Sequence, residues 1–219
     1  MKRVVIFLSL FIALASCTNR NYVFEQHIDR GWTLASDTLD TLRHYTVPSV
    51  VQQTLLDAGL IPHPYLGTVE DELLWISDHP WTYTAHFNAN RQMLNVDVVE
   101  LVFEGIDTYA SVTLNGEKLF DANNQFRTWK ADVKKLLKAK DNVLVVSFPR
   151  YDSIQQALYD QQRPRLPEKY AVTRKAPYQH GWDWAPKYKN VGIWKPVKLV
   201  GWSDARLENA YIVSKEVSD

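Results

Sequence analysis

The stretch Tyr109-Ala110-Ser111-Val112-Thr113-Leu114-Asn115-Gly116-Glu117-Lys118-Leu119-Phe120 decides the fold. Residues 109–114 alternate in polarity, which is the period of a half-buried strand. They run into Asn115-Gly116, the dipeptide that best tolerates the two positive φ angles of a type I′ hairpin turn. Glu117 to Phe120 is the return strand. Outward from this hairpin the same texture recurs. The β pattern starts at Tyr83, and Val96 to Phe103, Asn142 to Phe148 and Val191 to Val200 read as further strands, with Arg206 to Val213 starting one more. Many short strands separated by long excursions predict an all-β sandwich, a jelly roll, with short helices decorating the loops.

Composition agrees with a globular domain. The 219 residues are 46% hydrophobic, 23% charged and 12% aromatic, enough for a core without disulfides. Lys+Arg and Asp+Glu are both 25, and this zero net charge argues against a general nucleic-acid binder. The single Cys excludes a disulfide framework and a Cys-based zinc site. The eight glycines show no phosphate or dinucleotide spacing, and the six histidines, at 27, 44, 63, 79, 86 and 180, show no ligand spacing in a helical context, so no cofactor or metal is expected. Eight Trp and eleven Tyr are many for this length, and serve either a core or a ligand surface.

The first 16 residues read as a processing signal. Lys2 and Arg3 precede the apolar run Val4 to Ala15, too short to span a bilayer. Leu14-Ala15-Ser16-Cys17 resembles a bacterial lipobox, which makes Cys17 the lipidated first mature residue; an ordinary secretory signal is the alternative. Lipidation implies a bacterial cell-envelope protein tethered to membrane. Residues 17–30 read as tether and the ordered domain as 31–206.

Two short helices carry capping-box patterns: Ser49 with Gln52, ending at Gly59, and Ser153 with Gln156, whose apolar face is Ile154, Ala157 and Leu158. Glu70-Asp71-Glu72 suits the start of another helix through its dipole. Then follows a 28-residue stretch with little periodicity, Arg163 to Asn190, with prolines at 164, 167, 177 and 186. A loop this long in a compact domain is usually functional or disordered. Its seven basic residues face only Glu168 and Asp183, and Arg174 or Lys175 is expected to pair with Asp183.

The chemistry-bearing stretch lies near the end of that loop: His180-Gly181-Trp182-Asp183-Trp184-Ala185-Pro186. An indole covers the apolar C–H face of a sugar ring, and a carboxylate accepts from two hydroxyls at once. In an extended chain Trp182 and Trp184 share one side and Asp183 takes the other. Two packing tryptophans around a solvated Asp is the plainer account, and spacing alone leaves both open. Glu70, Asp71 and Glu72 read as a solvated first turn rather than an acid/base pair. Gly201-Trp202-Ser203-Asp204-Ala205 lacks the last glycine of a nucleophile elbow and is set aside.

Taken in order, a longer series of motifs resembles the N-terminal part of bacterial β-mannosidases of glycoside hydrolase family 2. The series includes Val47-Pro48, Gly59-Leu60-Ile61-Pro62, Gly67, Glu70, Gly105-Ile106-Asp107-Thr108-Tyr109-Ala110, Leu114-Asn115-Gly116, Arg174-Lys175-Ala176-Pro177-Tyr178, Gly181-Trp182-Asp183-Trp184 and Gly192-Ile193-Trp194. The resemblance implies a galactose-binding-like jelly roll leading an exo-glycosidase that removes terminal β-linked mannose with retention. It implies that Asp183 reaches into the mannose subsite and that Trp182 and Trp184 shape its loop. The family's two catalytic Glu lie in a TIM barrel that follows an immunoglobulin-like domain. Up to Asp219 there is no room for that barrel, so no catalytic residue is expected in this chain. Residues 207–219 are expected to be a first strand of the immunoglobulin-like domain. The chain then needs the missing domains in cis or in trans, or serves alone as a mannose-glycan binding module. The family usually has Asp at His63, Asn at Val69 and Gly at Ala185.

Overall fold

The computed structural model describes residues 22–216, so the signal segment and Cys17 lie outside the described residues. The strands are β1 (Phe24–His27), β2 (Trp32–Ser36), β3 (Leu42–Tyr45), β4 (Ser49–Val50), β5 (Trp81–Phe87), β6 (Val98–Phe103), β7 (Tyr109–Leu114), β8 (Glu117–Asn123), β9 (Trp129–Asp132), β10 (Asn142–Phe148), β11 (Gly192–Ile193) and β12 (Val197–Trp202). The α-helices are α1 (Val51–Asp57), α2 (Val69–Glu72), α3 (Arg91–Asn95) and α4 (Tyr151–Gln161). One sheet runs β3-β2-β5-β10-β7-β8, the other β1-β12-β6-β9, and β11 pairs with β4. Every strand pairing is antiparallel. This is the expected all-β jelly-roll sandwich.

Alternation sorts the faces. In β10, Leu144, Val146 and Phe148 are buried and Val143, Val145 and Ser147 are half-buried; β5 and β7 follow the same rule. The inward set meets Val99, Leu101 and Phe103 of β6 and Val197 and Leu199 of β12 in one continuous core. Two tryptophans sit fully inside because their indole N–H groups are satisfied: Trp32 donates to Ile28 O at 3.0 Å and Trp81 to Ile76 O at 2.7 Å.

The hairpin forms as its sequence requires. Asn115 and Gly116 take φ of 54° and 90°, both positive, and β8 carries a bulge that skips Leu119. Asn115 also does more than turn the chain. Its amide donates to Leu136 O at 2.8 Å and to Asn142 Oδ1 at 3.1 Å, while its Oδ1 accepts from Val143 N at 2.9 Å. The fully buried Asn142 adds bonds to Lys138 N, Lys138 O and Phe87 O. Two asparagines thus tie the hairpin, β10 and the turn after Val133 together.

The structure corrects several local expectations. Phe24–His27, inside the expected tether, is edge strand β1, because Phe24, Gln26 and Ile28 share the face turned toward the sandwich. Neither capping box forms. Ser49 belongs to β4 and its hydroxyl meets Thr54 Oγ1 at 3.0 Å, while Gln52 reaches across to Lys189 O at 3.1 Å. Helix α4 begins at Tyr151 and buries Tyr151 and Gln155, leaving Ala157 exposed. The stop at Gly59 does form: with φ of 69° there, Leu60 N bonds Leu55 O and Gly59 N bonds Leu56 O, a Schellman motif. Residues 207–216 form no strand, and Leu207, Tyr211 and Ile212 stand exposed.

Asn142→Ala leaves several buried backbone and side-chain partners unsatisfied at once. We expect it to lower unfolding free energy by about 2–3 kcal/mol, read as a shift of the urea midpoint with unchanged m-value.

Candidate functional site

The long loop is not free. Lys175 and Asp107 are both buried, at 2% and 1% exposure. Lys175 Nζ donates to Asp107 Oδ1 at 2.5 Å and to Asn190 O at 2.6 Å, and it lies 5.1 Å from the centre of the Tyr151 ring. Asp107 Oδ2 accepts from Gln179 Nε2 at 3.1 Å, and Gln179 Oε1 accepts from Asn190 N at 3.0 Å. Thr108 Oγ1 also donates to Asp107. Burial pushes the Lys175 ammonium below its ordinary pKa, and the Asp107 carboxylate opposes that push. Further along, Gln125 Oε1 accepts from Ala176 N at 2.8 Å and Gln125 N donates to Arg174 O at 3.0 Å. A single buried carboxylate on the segment between β6 and β7 therefore holds both ends of residues 175–190.

The staple overturns one expectation. Lys175 pairs with Asp107, 68 residues away, and not with Asp183. A lysine whose charge is buried needs a partner that is buried with it, and an exposed Asp183 cannot serve. Asp107 was visible in sequence only as one letter of a matched motif.

Between the stapled ends the chain projects a tight turn. Trp182 N donates to Ala185 O at 2.8 Å and Ala185 N to Trp182 O at 3.1 Å, so Asp183 and Trp184 occupy the corner. The two indoles therefore do not line up along an extended strand. Positive φ falls at Gly181, at 98°, and not at Ala185, so a side chain at 185 costs the backbone nothing. A Cβ at Gly181 would also stand 2.7 Å from Lys187 Cγ.

Trp182 and Trp184 are 51% and 72% exposed, and Trp184 packs on Tyr178 with ring centres 5.6 Å apart. Asp183 is exposed and makes no hydrogen bond or ion pair with any described residue. The turn forms one wall of a cleft of about 590 Å³, and Pro64, Tyr65, Gly67 and Glu70 form the other. The walls are tied at the base: Lys187 N donates to Glu70 Oε1 at 2.7 Å, Tyr188 OH donates to Pro64 O, and Tyr65 meets Tyr188 edge to face at 6.0 Å. Glu70 is thus part of the cleft and not merely a solvated first turn, whereas Asp71 and Glu72 point to solvent.

The departures from the family pattern sit around this cleft. His63 stacks obliquely on Tyr65 and its Nδ1 accepts from Tyr65 N at 3.3 Å; Val69 packs on the core. No group of three metal-ligating side chains occurs among the described residues. At the back of the cleft, His180 Nε2 lies 3.0 Å from both Tyr151 Oη and Gln155 Nε2. Burial, then the Lys175 and Lys189 ammonium groups, lower its pKa to about 4.

Two facing antiparallel sheets with their longest loop stapled down and its tip presented at one end define a galactose-binding-like jelly roll. The chain belongs to the glycosyl hydrolase 2 galactose-binding domain-like family, whose model matches residues 32–195. It is 34% identical over 183 residues to beta-mannosidase A of Emericella nidulans, covering 78% of this chain and 19% of that relative. Beta-mannosidase B of Aspergillus fumigatus is 34% identical over 205 residues, covering 88% and 24%. The crystal structure of beta-D-mannosidase from Dictyoglomus thermophilum superposes with a TM-score of 0.83 at 32% identity, over 89% of this chain and 24% of that one. A beta-D-glucuronidase from the same organism, at TM-score 0.51 and 14% identity, shares the fold. The chain spans about a fifth of the length of the curated relatives it matches.

Two outcomes follow from the staple. Lys175→Met strands the Asp107 charge and should cost about 3–5 kcal/mol, while K175M/D107L should recover part of that; urea unfolding of the three proteins measures both. His180 holds its proton less tightly when folded, at about 4 against 6.5 unfolded. The unfolded chain then binds more protons between these values, so stability is full above pH 6.5 and falls toward pH 4. Because the ring is partly exposed, a loss of about 1 kcal/mol is expected across that window, and His180→Gln should flatten the slope of urea midpoint against pH.

Proposed function

We propose that this chain is the sugar-recognition domain of a β-mannosidase-like exo-glycosidase acting on terminal non-reducing β-D-mannose residues, and that Asp183 contributes to the mannose subsite. The observation that carries this reading is the unpaired Asp183 carboxylate, flanked by two exposed indoles at the mouth of a cleft. A carboxylate without an internal partner is free to accept from vicinal hydroxyls, and the indoles offer faces to sugar C–H groups. The β-mannosidase names of the similar proteins support the sugar assignment.

Retaining hydrolysis needs two placed carboxylates, an acid/base and a nucleophile. In this proposal both come from a further domain or a separately encoded polypeptide, and residues 1–219 alone do not turn over substrate. Trp182 and Trp184 stand exposed because that partner, or a glycan, covers them. A stand-alone mannose-glycan module on a lipid anchor is the second reading, favoured by the same exposure. In either case Cys17 would carry the lipid that holds the protein at the bacterial cell envelope.

Calorimetric titration with manno-oligosaccharides tests the assignment. Half of a pocket should bind in the millimolar range, about −4 kcal/mol, and Asp183→Asn should weaken binding about fivefold or more. Silence at high ligand concentration, or an unchanged Asp183→Asn, contradicts it. Hydrolysis of an aryl β-mannoside by the chain alone contradicts the division of labour.

A further inference from the structure

Glu70 shares the cleft with Asp183 but comes from the opposite wall. Its Oε1 is occupied by Lys187 N at 2.7 Å, a bond across 117 residues that fixes the carboxylate in place. Its Oε2 takes no hydrogen bond from a described residue. The ionisable groups lining the cleft are Asp183, Glu70, Lys187, His180 and Tyr65. Lys187 forms no ion pair with either carboxylate, and its stem lies along Gly181. With the His180 ring uncharged at neutral pH, the charged groups of the cleft are two carboxylates and one ammonium.

A carboxylate whose first oxygen is held by a backbone N–H presents its second oxygen in a set direction, at little further ordering cost. It can accept from a ligand hydroxyl, and it repels a ligand that carries its own carboxylate. Discrimination of this kind comes from the repulsive element as much as from the attractive one. We propose that Glu70 is a second recognition carboxylate of this cleft and that, together with Asp183, it makes the cleft select neutral saccharides over uronic ones. This inference rests on the saccharide reading of Asp183 given above.

The test uses the full chain, its Glu70→Gln and Asp183→Asn variants, and two ligands of equal length: a neutral manno-oligosaccharide and a mannuronate oligosaccharide. NMR titration gives each affinity, and the Lys187 amide resonance of the free proteins reports the latch. The wild type should bind the neutral ligand more tightly than the acidic one, and 0.5 M salt should narrow the gap, since screening shortens the reach of the repulsion. Glu70→Gln keeps an acceptor oxygen for Lys187 N, so that resonance should stay in place. Its affinity for the neutral ligand should fall about fivefold and its preference for neutral over acidic ligand should shrink.

A Glu70→Gln variant that binds both ligands as the wild type does overturns the inference. So does a displaced Lys187 resonance, which reduces Glu70 to a latch, and so does a wild type that favours the acidic ligand. If Asp183→Asn is weakened in these same measurements, the saccharide reading survives that failure. If Asp183→Asn is unchanged, or the wild type binds neither ligand, both fall together.

Discussion

The structure depends on one buried ion pair, Lys175 to Asp107. Desolvating two charges is expensive, and the cost is offset only when each has further hydrogen bonds. Here Asp107 receives Gln179 and Thr108, and Lys175 donates to Asn190 O. Gln179 and Asn190 belong to the loop that Lys175 begins, so the pair ties that loop near both of its ends, and Ala176 and Tyr188 add apolar contacts there. The backbone pairing of Asp107 with Gly192 locks the carboxylate to the strand that follows the loop.

That constraint divides the molecule by role. The sandwich and its asparagine hub provide a frame that does not need to change. The staple carries the frame's rigidity out to the base of the loop, and the Lys187–Glu70 bond carries it to the edge of the cleft. Only the turn from Trp182 to Ala185 stands clear, with a carboxylate that no described residue engages. Recognition groups held by locked supports lose little entropy when a ligand arrives. The arrangement suits a domain that contributes contacts to a site completed from elsewhere.

Strands β5, β6, β7, β8, β10 and β12 were legible in the sequence because burial in a sandwich imposes a period of two, and Asn115-Gly116 names its own turn. The candidate site was half legible. Trp182, Asp183 and Trp184 stand out because they are adjacent and unusual together. Asp107, Lys175, Gln179 and Glu70 do not, since their roles arise from pairings between residues 68, 72 and 117 positions apart, and no local spacing encodes these. The capping boxes failed for a related reason. Ser49 and Gln52 had the right offsets, but tertiary partners in Thr54 and Lys189 claimed their side chains. Strands β1 to β4 and β9 were not legible, because two to five residues of mixed polarity carry too little pattern to outweigh a polar neighbourhood.

The most direct test of a saccharide cleft on a stapled loop is a residue-by-residue NMR shift map of the chain titrated with a β-linked manno-disaccharide. The account predicts saturable shifts concentrated at residues 181–187 and 64–70, with the indole signals of Trp182 and Trp184 among the largest and the Asp107–Lys175 region unmoved. Shifts gathered on an outer sheet face, or spread through the staple, or absent at ligand concentrations far above the millimolar range, would contradict it.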